Sequence, residues 1–240
     1  MIPKVIHYCW FSGEKKPKRV NECIQTWNNV LTDYEIKEWT LKDFDSNIIP
    51  FVSKAIHYKK WAFAADYFRL WVLYNYGGIY LDCDVIVNRS FDEVLTSSLF
   101  LGWEDLDCLE AHAIGSIQDH NWLKLSLEYY EKINIVDVSD FYNYLMPQVI
   151  TQNSVNNFKL NRNFKQQSLM NNIMVYPINY FTLNLNDERN ICEHLFLGSW
   201  NDTSSYSYKD HLMSNYYKIY NVGLKRNLYF FKRFIKSIVN

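Results

Sequence analysis

The sequence has almost no net charge and no long apolar run. Its 25 lysine and arginine residues nearly balance 26 acidic residues, so it lacks the basic excess typical of proteins that bind nucleic acids. No apolar run reaches the roughly 20 residues that a membrane-spanning helix needs. The first residues also lack a signal-peptide pattern, because Pro3, Lys4 and His7 interrupt the apolar positions there.

The cysteines are few, odd in number and scattered, without the close pairing of a metal knuckle: Cys9, Cys23, Cys83, Cys108 and Cys192. An odd set without a signal peptide indicates reduced thiols. We therefore predict a cytoplasmic protein.

What the sequence has in abundance is apolar and aromatic side chains. Hydrophobic residues make up 48% of the 240 positions, enough for one domain with a substantial core. Aromatic residues make up 18%, including 8 tryptophans and 19 tyrosines. Most of these rings are expected in the core, and some could stack on the apolar faces of sugar rings.

Apolar segments of strand and helix type alternate along the chain. The pattern predicts strands at 4–8, 34–39, 79–87, 99–103 and 111–116, and helices at 20–30, 61–76, 121–133 and 139–150. Such alternation is typical of an α/β fold with a mainly parallel sheet flanked by helices. Residues 151–172, which are rich in asparagine and glutamine, predict a surface loop or mobile lid.

Paired acids stand at the end of the predicted strand 79–87. Strand alternation turns Tyr80, Asp82 and Asp84 to one face. Two neighbouring carboxylates repel each other unless something neutralises them. Mg²⁺ or Mn²⁺ suits such oxygen donors and binds substrate phosphates as well, so the pattern indicates a metal and diphosphate site. The alternative is an ordinary loop, in which such triplets are common.

The preceding helix carries an acid and a base three residues apart. Helical spacing puts Asp66 and Arg69 on the face of the small residues Ala62 and Ala65. This face is open enough to receive a ligand, although a surface ion pair is the alternative. Ligands of open α/β sheets bind beyond the carboxyl ends of the strands. We therefore expect Trp10, which follows the first strand, to share one crevice with the acids.

Three blocks of sequence resemble a known family: Ile2-Pro3-Lys4-Val5-Ile6-His7-Tyr8-Cys9-Trp10-Phe11-Ser12-Gly13, residues 62–84, and His194 to Trp200. They are similar to glycosyltransferase family 32, whose members contain a DXD sugar-binding region. That family includes bacterial capsular polysaccharide transferases and is related to yeast mannosyltransferases and, more distantly, to clostridial glucosylating toxins. The blocks span most of the chain in the expected order.

The resemblance implies a glycosyltransferase-A (Rossmann-like) fold and roles for the central residues. Asp84 would bind the metal directly, and Asp82 would contact a metal-bound water or the ribose and sugar hydroxyls. Tyr80 would approach the ribose or a phosphate. Asp66 and Arg69 would hydrogen-bond the hydroxyls of the donor sugar.

The resemblance also implies roles for residues of the first and the last of the three blocks. Trp10 would stack on the nucleotide base. His194, Ser199 and Trp200 would complete the metal and phosphate environment. For His194 a place in the core or on the surface is the alternative, and Glu193 could substitute for it as a carboxylate ligand.

The function implied is metal-dependent, retaining sugar transfer with Mn²⁺ or Mg²⁺ as cofactor. The donor would be a nucleotide-sugar, UDP-hexose first, and the acceptor a glycan or lipid-linked oligosaccharide of capsular or surface polysaccharide synthesis. Two alternatives are a toxin-like effector that glycosylates a host protein and a non-catalytic glycan-binding module. Acceptor contacts are expected at four polar residues, for which solvated surface is the alternative: Asp105, Asp107, Glu110 and His112.

The last residues form a separate segment. We predict a catalytic domain over 1–220 and a basic amphipathic segment over 221–240, in which lysine and arginine alternate with apolar residues. Such a segment can lie on an anionic membrane surface, here the inner face of a bacterial plasma membrane. The alternative is a terminal helix whose aromatic side chains pack on the domain.

Overall fold

The computed structural model describes residues 1–105, 107–185, 187–197 and 212. Residues 1–195 form one compact unit. Ser199, Trp200 and the basic segment 221–240 lie outside the described residues, as does the domain boundary at 220. Those predictions therefore stay predictions.

Strands and helices alternate through the described residues. The strands are β1 (Val5–Cys9), β2 (Glu35–Trp39), β3 (Gly78–Leu81), β4 (Val85–Val87), β5 (Leu99–Gly102), β6 (Ala113–Ser116), β7 (Gln167–Leu169), β8 (Ile173–Tyr176) and β9 (Cys192–His194). The α-helices are α1 (Lys18–Val30), α2 (Pro50–His57), α3 (Trp61–Tyr76), α4 (Asn121–Glu131), α5 (Met146–Phe158) and α6 (Ile178–Phe181).

Seven of the described strands form one mixed sheet in the order β2-β1-β3-β6-β5-β8-β7. The pairs β1–β2, β1–β3 and β5–β8 are parallel, and the other three pairs are antiparallel. Five strands consequently run in one direction, with β6 and β7 opposed. The predicted α/β class with a mainly parallel sheet and flanking helices is confirmed. Strands β4 and β9 form a separate antiparallel ribbon.

Helix α3 covers the predicted residues and packs on the sheet through its many apolar side chains. It ends at Gly77, which has a positive φ of 64°. A Cβ there would lie 2.9 Å from the backbone nitrogen of Gln118. Glycine therefore allows the abrupt turn from α3 into β3, and this turn sets the helix beside the strand that leads to the acids.

The predicted strand 79–87 is wrong as one continuous element. Strand β3 ends at Leu81, and the N–H of Val85 bonds to the carbonyl of Asp82 at 3.1 Å, which closes a turn. The chain then leaves the large sheet, and β4 pairs with β9 instead. Asp82 and Asp84 thus lie in a turn at the carboxyl end of β3, where their side chains do not follow strand alternation.

The predicted loop over 151–172 is also wrong in part. Helix α5 continues to Phe158, and β7 occupies part of the remainder. Helix α5 buries Ile150, Ser154 and Phe158 at helical spacing, so its asparagine and glutamine residues reflect a solvated face. Residues 138–144 form a 3-10 helix, and α5 begins at Met146 rather than at 139. Helix α2 was not predicted.

A buried histidine links β1 to its neighbours. His7 is 2% exposed. The indole N–H of Trp39 donates to its Nδ1 at 3.1 Å, and its Nε2 lies 3.0 Å from the carbonyl of Gly77. This geometry fits only the neutral ring with its proton on Nε2. Burial lowers the pKa of His7 from 6.5 to about 4.

We expect the His7 ring to make stability depend on pH. A lowered folded-state pKa contributes stability above pH 6.5 that is lost as the pH falls toward 4, by about 3 kcal/mol. His7→Asn, whose amide oxygen can still accept from Trp39, lacks this titration. Urea unfolding of both proteins between pH 7 and 4 measures it. A stability difference between them that does not change with pH would contradict the prediction.

Candidate active site

A buried arginine joins two of the predicted acids. The Nη2 atom of Arg69 lies 3.2 Å from Oδ1 of Asp66 and 3.2 Å from Oδ1 of Asp82. The arginine side chain is 6% exposed, whereas Asp66 is 14% and Asp82 24% exposed. The alternative of a surface ion pair is therefore wrong. The guanidinium is buried, and the side chains of Asp66 and Asp82 beside it keep partial contact with solvent.

Buried residues of the core contact the guanidinium of Arg69. Its Nη1 donates to the carbonyl of Ala111, and its guanidinium carbon lies 4.9 Å from the centre of the Tyr80 ring. Tyr80 itself is 1% exposed, with its hydroxyl 3.5 Å from the sulfur of Cys9. The structure thus places Tyr80 inside the core, beneath the arginine, and not on the open side where the predicted ribose or phosphate contact would require it.

Burial and neighbouring charges both shift the pKa values of Asp66 and Arg69. Burial raises the pKa of Asp66 to about 7, although Arg69 opposes the shift. For Arg69, burial alone lowers the pKa, but Asp82 and the other neighbours outweigh it and raise the pKa. The guanidinium therefore stays charged. It is a fixed cation between the side chains of Asp66 and Asp82.

The second acid of the pair has a different partner. Nε2 of His194 lies 3.1 Å from Oδ1 of Asp84, and their side chains are 14% and 18% exposed. The β4–β9 ribbon creates this contact by pairing Val85 with His194. Strand alternation turns Glu193 to the other face of β9, so His194 is the residue that contacts Asp84.

The two acids of the triplet thus face different groups, Asp82 toward Arg69 and Asp84 toward His194. Within the described residues, no cluster of three or more His, Cys, Asp or Glu side chains has metal-site geometry. Asp84 and His194 still offer one oxygen and one nitrogen donor side by side. That pair fits a cation such as Mn²⁺, which takes its remaining ligands from phosphates and water.

Trp10 lies directly after β1 and is half-buried. Its indole N–H donates to the carbonyl of Glu14 at 2.7 Å, and Nζ of Lys16 lies 5.6 Å from the ring centre. Lys16 in turn contacts Glu38 at 2.6 Å. The thiol of Cys83, between the two acids, donates to the carbonyl that precedes Trp10, so the tryptophan adjoins the acidic turn.

Lys16 and Glu38 were missed by the sequence analysis. They lie 22 residues apart, with Glu38 in β2 and Lys16 in the segment between β1 and α1. No spacing rule in the sequence gives this contact.

Two residues expected to contact the acceptor lie in the interior instead. Glu110 and His112 are 0% and 1% exposed, and Oε2 of Glu110 lies 2.6 Å from Nε2 of His112. Burial alone lowers the pKa of His112, but the adjacent carboxylate outweighs burial and raises it to about 9. The His112 ring stacks on His194 with 4.3 Å between centroids. For Asp105 and Asp107 the acceptor role stays a prediction.

Residues 17–101 match the model of a family described as a glycosyltransferase sugar-binding region containing a DXD motif. The match takes in Asp66, Arg69, Asp82 and Asp84. This part of the chain is similar to glycosyltransferases. None of the helices in the described residues is long and apolar enough to cross a membrane.

Curated relatives point to the same class. Inositol phosphoceramide mannosyltransferase 3 of Schizosaccharomyces pombe is 38% identical over 101 residues, which cover 39% of this chain and 27% of that protein. Mannosyl phosphorylinositol ceramide synthase SUR1 of Saccharomyces cerevisiae is 30% identical over 139 residues, covering 55% and 36%. The matched part of the chain thus spans only 27% to 36% of the length of these two relatives.

Among solved structures, the PaToxG glycosyltransferase aligns with a TM-score of 0.49 at 19% identity, over 64% of this chain and 68% of that one. A glycosyltransferase involved in glycosylation of the major capsid of PBCV-1 aligns with a TM-score of 0.44 at 10% identity, over 88% and 99%.

Proposed function

We propose that this protein is a metal-dependent glycosyltransferase that moves a hexose from a nucleotide-sugar to a glycan acceptor. The observation that carries the proposal is the cluster in which Arg69 joins Asp66 and Asp82 beside the Asp84–His194 pair. The cluster lies beyond the carboxyl end of β3, where α/β folds bind ligands, and four of its five residues fall in the matching region.

Each residue of the site is proposed to contact a different part of the donor. Arg69 and Asp66 hydrogen-bond the hydroxyls of the donor sugar, since a buried charged pair gives strong and directional contacts. Asp82 is shared between the arginine and the sugar or ribose hydroxyls. Trp10 stacks on the base. Ser199 and Trp200 are proposed to close the phosphate side.

Asp84 and His194 are the residues that would hold Mn²⁺ or Mg²⁺. Bound there, the cation would neutralise the charge that develops on the leaving diphosphate. The resemblance to family 32 supports retention of the anomeric configuration. In such a reaction the leaving phosphate helps take the acceptor's proton, so no separate basic side chain is needed.

Donor and acceptor are proposed more narrowly. The first candidate donors are UDP-hexoses. Nucleotide-linked mannose is a second candidate, because the curated relatives are named for mannosyl transfer. The acceptor is a glycan or lipid-linked oligosaccharide, and the setting is synthesis of capsular or other surface polysaccharide at the cytoplasmic face of a membrane. The relatives named for inositol phosphoceramide support an acceptor with a lipid part.

A donor screen tests the proposal. Purified protein is incubated with Mn²⁺ and UDP-glucose, UDP-galactose, UDP-N-acetylhexosamines or GDP-mannose, and nucleotide release is measured with and without a chelator. We expect release with one donor class that chelator abolishes reversibly. Glycan binding without turnover of any donor would favour the binding-module alternative. Transfer to host proteins but to no glycan would favour the toxin-like alternative.

Trp10→Ala is expected to weaken nucleotide binding by about tenfold or more, because a base-stacking contact contributes roughly 1–3 kcal/mol. Calorimetry with the nucleotide product measures the effect. Trp71→Ala is the matched control, since Trp71 is also half-buried but packs against Trp39 and Phe44. Equal dissociation constants for wild type and folded Trp10→Ala would show that Trp10 only packs.

Membrane contact through residues 221–240 is proposed from their sequence alone. Basic residues near an anionic surface gain about 1 kcal/mol each, an attraction that salt screens. The full chain should co-sediment with anionic vesicles at low salt and much less at high salt. Equal sedimentation with neutral vesicles, or none with either kind, would sink this part of the proposal.

A further inference from the structure

The buried pair of Glu110 and His112 has no role in the donor contacts described so far. Both side chains are essentially inaccessible to solvent, and Oε1 of Glu110 has no hydrogen-bond partner within the described residues. Burying charged groups costs free energy that their attraction often fails to recover. Stability alone therefore explains this pair poorly.

The pair lies directly behind the proposed metal ligands. The ring of His112 stacks on the ring of His194 at 4.3 Å and an interplanar angle of 28°. His194 in turn contacts Asp84. A continuous series of contacts thus runs from the interior carboxylate of Glu110 through the two imidazole rings to the carboxylate of Asp84.

The His112 ring is itself held firmly. Its Nε2 lies 2.6 Å from Oε2 of Glu110 and 3.2 Å from the carbonyl of Phe181. The hydroxyl of Thr182 donates to the same Glu110 oxygen at 3.2 Å. These contacts fix the plane on which the His194 ring rests.

The backbone at Ala111 and His112 also contacts Arg69 and Asp82. The carbonyl of Ala111 accepts from Arg69, and the carbonyl of His112 accepts from the N–H of Asp82 at 2.9 Å. Three consecutive residues therefore contact both the arginine cluster and the Asp84–His194 pair.

We propose that Glu110, Ala111 and His112 form a positioning segment for the donor site, in which His112, anchored by Glu110, sets the orientation of the His194 ring toward Asp84. The inference rests on the proposed function for its consequence, which is cation binding by Asp84 and His194. Neither Glu110 nor His112 touches the donor. Both act through the side chain in front of them, as groups behind metal ligands commonly do.

The decisive variant is His112→Gln in the full chain. Its amide nitrogen can still donate to Glu110, so the buried carboxylate keeps a partner while the stacked ring is lost. His120→Gln is the matched control, because His120 is also a buried histidine, 6% exposed, but lies beyond the opposite end of β6. A second pair, Glu110→Leu and Glu110→Gln, removes or preserves the anchor of the His112 ring.

Two readouts are measured on variants whose thermal melts show that they are folded. Titration with Mn²⁺ alone, followed by the electron paramagnetic resonance signal of the unbound ion, should give a dissociation constant raised roughly 10–100-fold in His112→Gln and Glu110→Leu. Glu110→Gln and His120→Gln should stay near wild type. In metal-free protein, the ring-nitrogen chemical shifts of His194 should change in the same two variants only.

The outcomes separate the inference from the proposed function. Wild-type Mn²⁺ affinity and unchanged His194 shifts in folded His112→Gln would overturn the positioning role alone. If the wild type binds no Mn²⁺ without nucleotide, the His194 shifts of the metal-free variants decide the positioning role, and the effect of chelator on nucleotide release decides the metal-dependent function. If His112→Gln does not fold, the two Glu110 variants decide it.

Discussion

Replacing Asp84 with asparagine is expected to reduce nucleotide-sugar turnover roughly a thousandfold, because a metal ion contributes several kcal/mol to stabilising the leaving group. Asparagine has the same size and can still hydrogen-bond to His194, so the fold should persist. The rate of nucleotide release at saturating Mn²⁺ measures the effect, and the melting temperature checks the fold.

Asp33→Asn is the matched control for this variant. Asp33 is also a carboxylate in an ion pair, with Lys4, but its side chain is 62% exposed and lies away from the site. Its removal should leave turnover unchanged. Near-wild-type turnover by Asp84→Asn, or by the wild-type protein in excess chelator, would show that catalysis does not depend on a metal at this position.

Arg69→Met should destabilise the protein by about 3–5 kcal/mol, because removing one member of a buried charge cluster leaves its partners uncompensated. Here Asp82 loses the cation beside it, and Asp66, whose pKa is about 7 even with the arginine present, takes up a proton in a buried position. Urea unfolding measures the loss. Adding Asp82→Asn to Arg69→Met should restore part of the stability, because the stranded charge of Asp82 is then removed.

Arg19→Met provides the comparison at the surface. Arg19 is 51% exposed and pairs with Glu22 three residues along α1, and exposed pairs of this kind contribute little. An equally small effect of Arg69→Met would mean that the guanidinium is not needed to neutralise the two acids.

Local patterns in the sequence predicted the fold well where one element sufficed. The helix that carries Asp66 and Arg69 was predicted over its observed residues, and its end at Gly77 follows from the backbone freedom of glycine. The contact between the two side chains follows from helical spacing. The resemblance to family 32 implies that Asp84 and His194 belong to one site, and the structure shows them in contact.

Predictions failed where the outcome depends on distant pairing. Alternation extended the strand through Asp82 to Val87, but β4 leaves the sheet to pair with a segment more than a hundred residues later. Glu110 and His112 look like solvated residues in sequence, because nothing local shows that each neutralises the other in the interior. The prediction of a loop from residue 151 onward failed for a similar reason. The asparagine and glutamine residues on the solvated face of α5 have the composition of a loop.

The β4–β9 ribbon sets the order in which the two parts of the candidate site can form during synthesis of the chain. Asp84 and His194 are 110 residues apart in sequence, whereas Asp66, Arg69 and Asp82 lie within one short stretch. Because chains emerge from the ribosome in order and pairing at long sequence separation forms slowly, the contacts of Arg69 with Asp66 and Asp82 can form well before the Asp84–His194 contact exists. If the proposed function is right, nascent chains that stop short of β9 should therefore be unable to turn over donor.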